Sequence, residues 1–168
     1  ARMLPKRAQE VAVLVNFQGV VLFSWPGTEI TIELIRGTFP TYSHLIPTTH
    51  ETRTVVDTAA FKRATRIASL FAEVNNGSRT VRLVMTPGKM TISACSEGAH
   101  ESSQVIQAEV LGNEAKIAFN GKYLTDVLGV IKEEKVAIET TSPSSPGVLR
   151  PVGADNYTYV VMPRLVQW

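Results

Sequence analysis

Cys95, the histidines His44, His50 and His100, and a scatter of serines are the side chains here that could carry nucleophilic or acid–base chemistry. Such chemistry needs a base within hydrogen-bond reach of the nucleophile and a third group to orient that base. No nucleophile-elbow or Cys-His signature surrounds any of them. Cys95 lies between Ile92-Ser93-Ala94 and Ser96-Glu97-Gly98, a strand running into a loop, and reads as a small half-buried residue. His100 lies in a loop near Glu97 and Glu101 and reads as a solvated imidazole. The histidines lack metal-ligand spacing, and no glycine-rich loop is built to cradle phosphate. An enzyme is therefore not expected, and neither is a metal or cofactor.

Cations are the second candidate chemistry. Lys62, Arg63 and Arg66 lie off the apolar stripe of an expected helix, with Lys62 and Arg66 one turn apart. In a second expected helix, Lys122 and Lys132 flank a polar side that holds Thr125 and Asp126. Two readings stand: a solvated helix face, or a row of charges that meets phosphates without reading bases. The net charge of +2 does not itself announce a nucleic-acid binder. Residues 1–66 carry eight Lys/Arg against five Asp/Glu, and the remainder nine against ten, so any footprint is a patch.

The chain that positions these groups has 168 residues, 44% of them hydrophobic and 19% charged, enough for one core or slightly more. No stretch reaches the roughly 18 apolar residues that span a bilayer. Ala1–Gln9 is mixed and basic rather than a signal peptide. The first residue is not Met, which suggests a processed, truncated or excerpted product. A single cysteine excludes an internal disulfide and fits a reducing, cytoplasmic compartment.

Strands are expected over 10–15, 20–25 and 28–35, with Asn16–Gly19 and Pro26-Gly27 as turns. Ile30, Ile32 and Leu34 alternate with Thr31 and Glu33, as in a sheet with one covered face. The segment 37–51 is short and apolar enough to pack. Then the order strand, helix, three strands occurs twice. The first round has a strand at 53–56 and a helix over 59–74 capped by Asp57 or Thr58. Its stripe is Phe61, Ala64, Ala68 and Phe71, and Asn75-Asn76-Gly77 stops it. Strands follow at 80–85, 89–95 and 104–110. The second round has a strand at 115–119 and an Asn120-capped helix over 121–132 with Leu124, Val127, Leu128 and Ile131 inward. Strands at 135–140, 147–152 and 157–162 complete it. The fold class is α+β, a doubled β-α-β-β-β unit. The run Tyr159–Trp168 stays apolar past Pro163, as either a packed tail or a groove for a partner peptide.

Four motifs in order resemble the beta sliding clamp family of bacterial DNA polymerase III. They are Gly37-Thr38-Phe39-Pro40-Thr41-Tyr42 with Leu45-Ile46-Pro47; Ala68-Ser69-Leu70-Phe71-Ala72; Phe119–Leu128, read FNGKYLTDVL; and Tyr159-Val160-Val161-Met162-Pro163. The Pro- and Gly-rich stretch 142–155 resembles that family's loop before its last strand.

The resemblance implies the DNA-clamp (processivity) fold, with helices lining a ring and antiparallel sheets outside. It implies that residues 1–47 are the end of a second clamp domain, with a helix stub at Ala1–Leu4, and that residues 48–168 are a complete third domain. Sequence-independent contact with duplex DNA would fall to Lys62, Arg63, Arg66 and Lys122. Leu70 and Phe71 match an apolar pair that seals a homodimeric ring. A pocket for short motifs of the polymerase III alpha subunit, clamp loader and repair proteins would comprise Pro40, His44, Leu45, Asn120, Tyr123, Pro143, Ser145, Val160, Val161, Met162, Pro163, Arg164 and Leu165. His44 stands where relatives often carry Arg, and Arg164 where they usually carry Met. The family's pocket also has a wall from the middle of the second domain, which this chain lacks. The alternative expectation is a truncated, free-standing peptide-binding module without ring or DNA function.

Overall fold

The computed structural model describes residues 10–16, 19–39, 41–72, 74–75, 78–95, 101–154 and 157–168. The expected helix stub at Ala1–Leu4, Pro40, His100 and the Cys95 side chain lie outside the described part. Two compact units divide the chain, residues 1–41 and 42–168.

Unit 1 is an antiparallel meander of β1 (Ala12–Val15), β2 (Val20–Trp25) and β3 (Thr28–Glu33). Trp25 pairs with Thr28 across the two-residue turn Pro26-Gly27. Gly27 takes φ 78°, a backbone conformation that strains a residue with a side chain. The expected covered face is not there: Ile32 and Leu34 are exposed and only Ile30 is partly covered. Alternation decides which side chains share a face but supplies no layer to cover it. Among the described residues, unit 1 has no helix or second sheet. The segment 37–51, expected to pack, is mostly exposed: among its described residues Phe39, Tyr42 and Leu45 are exposed and only Ile46 and Pro47 are partly covered.

Unit 2 contains the doubled β-α-β-β-β unit. The first copy is β4 (Thr52–Asp57), α1 (Thr58–Phe71), the added two-residue β5 (Val74–Asn75), β6 (Ser78–Thr86), β7 (Lys89–Cys95) and β8 (Glu101–Gly112). The second is β9 (Ala115–Asn120), α2 (Gly121–Val130), β10 (Lys135–Thr140), β11 (Gly147–Pro151) and β12 (Tyr159–Val161). The copies interlock. β4 pairs with β10 of the second copy as well as β8 of its own, and β9 crosses back to pair with β6. The twelve-residue β8 joins the halves, its first part on β7 and its last on β4. Neither copy can complete its sheet alone.

Both helices pack on this sheet and on each other. Phe61, Ala64 and Ala68 of α1 and Leu124, Val127 and Leu128 of α2 are buried against Val81, Leu83, Met85, Ile92, Ile117 and Phe119. Each large side chain fully removed from water contributes about 1.5–3 kcal/mol. Asp57, not Thr58, caps α1: its Oδ1 accepts from the Ala60 N–H at 2.6 Å. Asn120 Oδ1 caps α2 by accepting from Lys122 N–H at 3.0 Å.

Both helices end before the expected residue. Ala72 and Ile131 are extended, with ψ of 132° and 125°. After α1, Val74 and Asn75 are drawn into pairing with Arg79 and Ser78. The Arg79 guanidinium donates to the Ser69 carbonyl at 2.8 Å, satisfying one of the acceptors a helix end leaves open. Phe71, expected on the buried stripe, is instead half exposed at this early end.

Candidate functional site

The cationic face belongs to α1. Capped at Asp57, the helix turns Phe61, Ala64 and Ala68 into the core, so Lys62, Arg63 and Arg66 fall on the other side. Arg63 and Arg66 are exposed and Lys62 is half-buried. Among the described residues none of the three is in an ion pair, so each can offer its charge to an anion. Lys122 differs. Its ammonium lies 2.5 Å from Asp126 Oδ2, one turn along α2, so an anion must compete with that carboxylate. Leu70 and Phe71 are 72% and 48% exposed at the end of α1, available to another surface.

The second surface forms where α2 begins and β12 ends. Asn120 spends Oδ1 on the helix cap, leaving its amide nitrogen as the group it can offer. Tyr123, on the first turn of α2, is half exposed. Gly147 of β11 pairs with Val161, and Pro143 and Ser145 lie in the loop that leads into Gly147. Ser142 Oγ accepts from the Ser145 N–H at 3.1 Å and lies 2.7 Å from Ser145 Oγ, which holds that loop in a turn. The phenyl ring of Phe119 presses on Gly147 so closely that a Cβ there would sit 2.5 Å from Cζ. The backbone N–H of Arg164 donates to the Ala118 carbonyl at 2.7 Å, laying the tail along β9. Met162 and Leu165 remain exposed on it, Val161 is buried, and Val160, Pro163 and Arg164 are partly covered.

Backbone contacts thus tie β12 and the residues after it to β11 and β9, and Tyr159 lies near Tyr123 and Asp126 of α2. Pro143 instead lines a cleft with Glu51, Asn113 and Lys116. His44 and Leu45 belong to a one-turn 3-10 helix, Tyr42–Leu45, and both are exposed. No hydrogen bond or ion pair joins those two to the tail among the described residues.

Two features escaped the sequence. Trp168 lies between two cations, its ring 6.0 Å from the Arg82 guanidinium carbon and 5.9 Å from Lys116 Nζ. A cleft of about 450 Å³ also opens between the ends of β4 and β10 and the start of β9, with Pro143 on its wall beside Glu51, Asn113 and Lys116. Residues so distant in sequence carry no local signal of meeting. A larger open trough of about 1250 Å³ lies on unit 1 at the ends of its strands. Its lining among the described residues, including Glu10, Trp25 and Glu29, holds no cation.

Two groups at the second surface titrate above their ordinary range. Burial pushes the Tyr159 hydroxyl up, and the nearby Asp126 carboxylate adds to this. The hydrogen bond to Asp126, then its charge, holds the Lys122 ammonium to higher pH. A group whose pKa is raised by folding adds stability below its unfolded pKa and loses it as pH rises through the folded one. Unfolding measured across pH 9–12 should therefore show stability falling from about pH 10 upward. Tyr159→Phe should flatten part of that fall. A Tyr159 phenolate absorbance titration no higher than free tyrosine would contradict the arrangement.

The fold and this pair of surfaces define the class: a doubled β-α-β-β-β clamp fold with helices on one face of an antiparallel sheet. Residues 43–165 match the family model of the DNA polymerase III beta subunit, C-terminal domain, and the chain belongs to that family. The beta sliding clamp of Synechococcus elongatus is 31% identical over 166 residues, covering 96% of this chain and 44% of the relative. The solved sliding clamp of Pseudomonas aeruginosa bound to griselimycin is 28% identical, with a TM-score of 0.89 over 98% of this chain and 44% of its own. That of Bacillus subtilis, 24% identical, superposes with a TM-score of 0.91 over 99% and 44%. The chain spans less than half the length of these relatives.

Proposed function

We propose that this chain is a non-catalytic part of a sliding clamp, a processivity factor that encircles duplex DNA in bacterial replication and tethers its clients. In this reading residues 1–47 close a second clamp domain and 48–168 form a third. Lys62, Arg63 and Arg66 meet phosphates, with Lys122 a weaker contributor because Asp126 already holds it. Leu70 and Phe71 seal a homodimeric ring in the whole protein. The setting is the cytoplasm.

The observation that supports the proposal is the exposed apolar surface of Tyr123, Met162 and Leu165, which we read as a peptide groove at the start of α2. Met162 and Leu165 are exposed on a tail tied to β9 and Tyr123 is exposed on α2, which offers apolar contact with a few polar groups nearby. A short motif from the DNA polymerase III alpha subunit or the clamp loader would bury its apolar side chains there at about 25 cal/mol per Å², less the cost of ordering it. His44 and Leu45 would also contribute to the pocket.

A labelled peptide carrying the clamp-binding segment of the alpha subunit tests this. It should bind the chain, and Met162→Ala should weaken binding about tenfold, since truncating a central apolar anchor typically costs more than about 1 kcal/mol. Equal affinity for both proteins would remove the groove from the reading.

A further inference from the structure

The tail beyond the groove is fastened at its far end as well as its near one. Besides the Arg164–Ala118 bond, the Arg82 guanidinium donates to the Gln167 carbonyl at 3.1 Å. The same guanidinium and Lys116 Nζ both lie about 6 Å from the Trp168 ring. Arg82 pairs with Ala118 and Lys116 with Val84 across β6 and β9, so the cations are diagonal neighbours on one sheet face. Their neighbours Val81, Leu83, Ile117 and Phe119 point into the core, which puts Arg82 and Lys116 on the opposite face from the helices. Ala118 shares that outer face yet is only 1% exposed and stands outside the core cluster.

We propose that Trp168, Arg82 and Lys116 form a clasp that positions Met162–Leu165 for peptide binding, a role that rests on the groove being a peptide site. A tail carrying exposed Met162 and Leu165 samples many conformations unless both ends are fixed. A site competent for only a fraction of the time binds with its affinity reduced by that fraction. The clasp raises the competent fraction before the peptide arrives, while touching no peptide itself. Cation–π contacts suit this task because they hold a ring without burying it, and Trp168 remains 49% exposed.

The test compares the full chain with its Trp168→Ala, Trp168→Phe and Arg82→Gln variants. Binding of the labelled alpha-subunit peptide, melting temperature and amide exchange at Arg164 are measured. Trp168→Ala and Arg82→Gln should each weaken peptide binding about three- to tenfold through slower association, with melting unchanged and the Arg164 amide exchanging faster. Trp168→Phe should restore most of the affinity. If the unsubstituted chain binds the peptide and Trp168→Ala binds it equally well, the clasp alone is overturned. If Trp168→Ala binds more tightly, the tail is a competitor and the clasp is also overturned. If the unsubstituted chain binds no peptide, the groove reading falls and takes the clasp with it.

Discussion

Phe119→Ala is expected to destabilise residues 42–168 by about 3–5 kcal/mol, the range for emptying a fully buried aromatic site. Phe119 is 0% exposed, and its ring lies on the bare Cα of Gly147. Removing the ring leaves a cavity between β9 and β11, the strands that carry the start of α2 and support the tail. Peptide affinity should therefore fall along with stability, although Phe119 faces no peptide. The mirror experiment is Gly147→Ala, whose Cβ would collide with the ring at 2.5 Å. That variant should also be destabilised, and Phe119→Leu should recover part of the loss by freeing space. Denaturant unfolding of the two single variants and the pair measures this coupling. Strict additivity would mean that ring and glycine do not depend on each other.

The second large effect concerns DNA. Replacing Lys62, Arg63 and Arg66 together with Gln removes three cations that no carboxylate engages among the described residues. Each phosphate neutralised contributes about −0.9 to the slope of log affinity against log salt. The triple variant should bind duplex DNA with a slope shallower by about 2.7, and its affinity at low salt should drop by one to two orders of magnitude. Folding stability should change little at Arg63 and Arg66, since exposed charges away from caps and pairs matter by less than about 0.5 kcal/mol, and somewhat more at half-buried Lys62. Lys122→Gln should reduce the slope less, because Asp126 already occupies that ammonium. A slope unchanged by the triple substitution, measured over a salt series, would take DNA contact away from α1.

Much of this was legible in the residues themselves. The stripes Phe61-Ala64-Ala68 and Leu124-Val127-Leu128 predict helices and their inward faces, and the structure buries them. Asn120 reads as a cap and acts as one. These features repeat over three or four residues, and the local backbone enforces them whatever the rest of the chain does. The doubled β-α-β-β-β order followed from the same local signals.

Other features needed partners distant in sequence. The early end of α1 reflects pairing of Val74-Asn75 with Ser78-Arg79 and the Arg79 guanidinium on Ser69, so Phe71 leaves the core that its spacing promised. The alternation in β3 was real, but a covering layer is a tertiary fact, and Ile32 stays exposed without one.

By itself, then, the sequence determined the repeat, the helix faces, the α1 cation row and the absence of a nucleophile–base signature. Only the tertiary structure decided that β4 and β9 exchange between the repeats and that Trp168 comes to rest by Arg82 and Lys116. The division has a physical cause. Periodicity states which face of an element is apolar, whereas strand edges and surface cations accept any complementary partner, and the packing of the whole domain selects which one arrives.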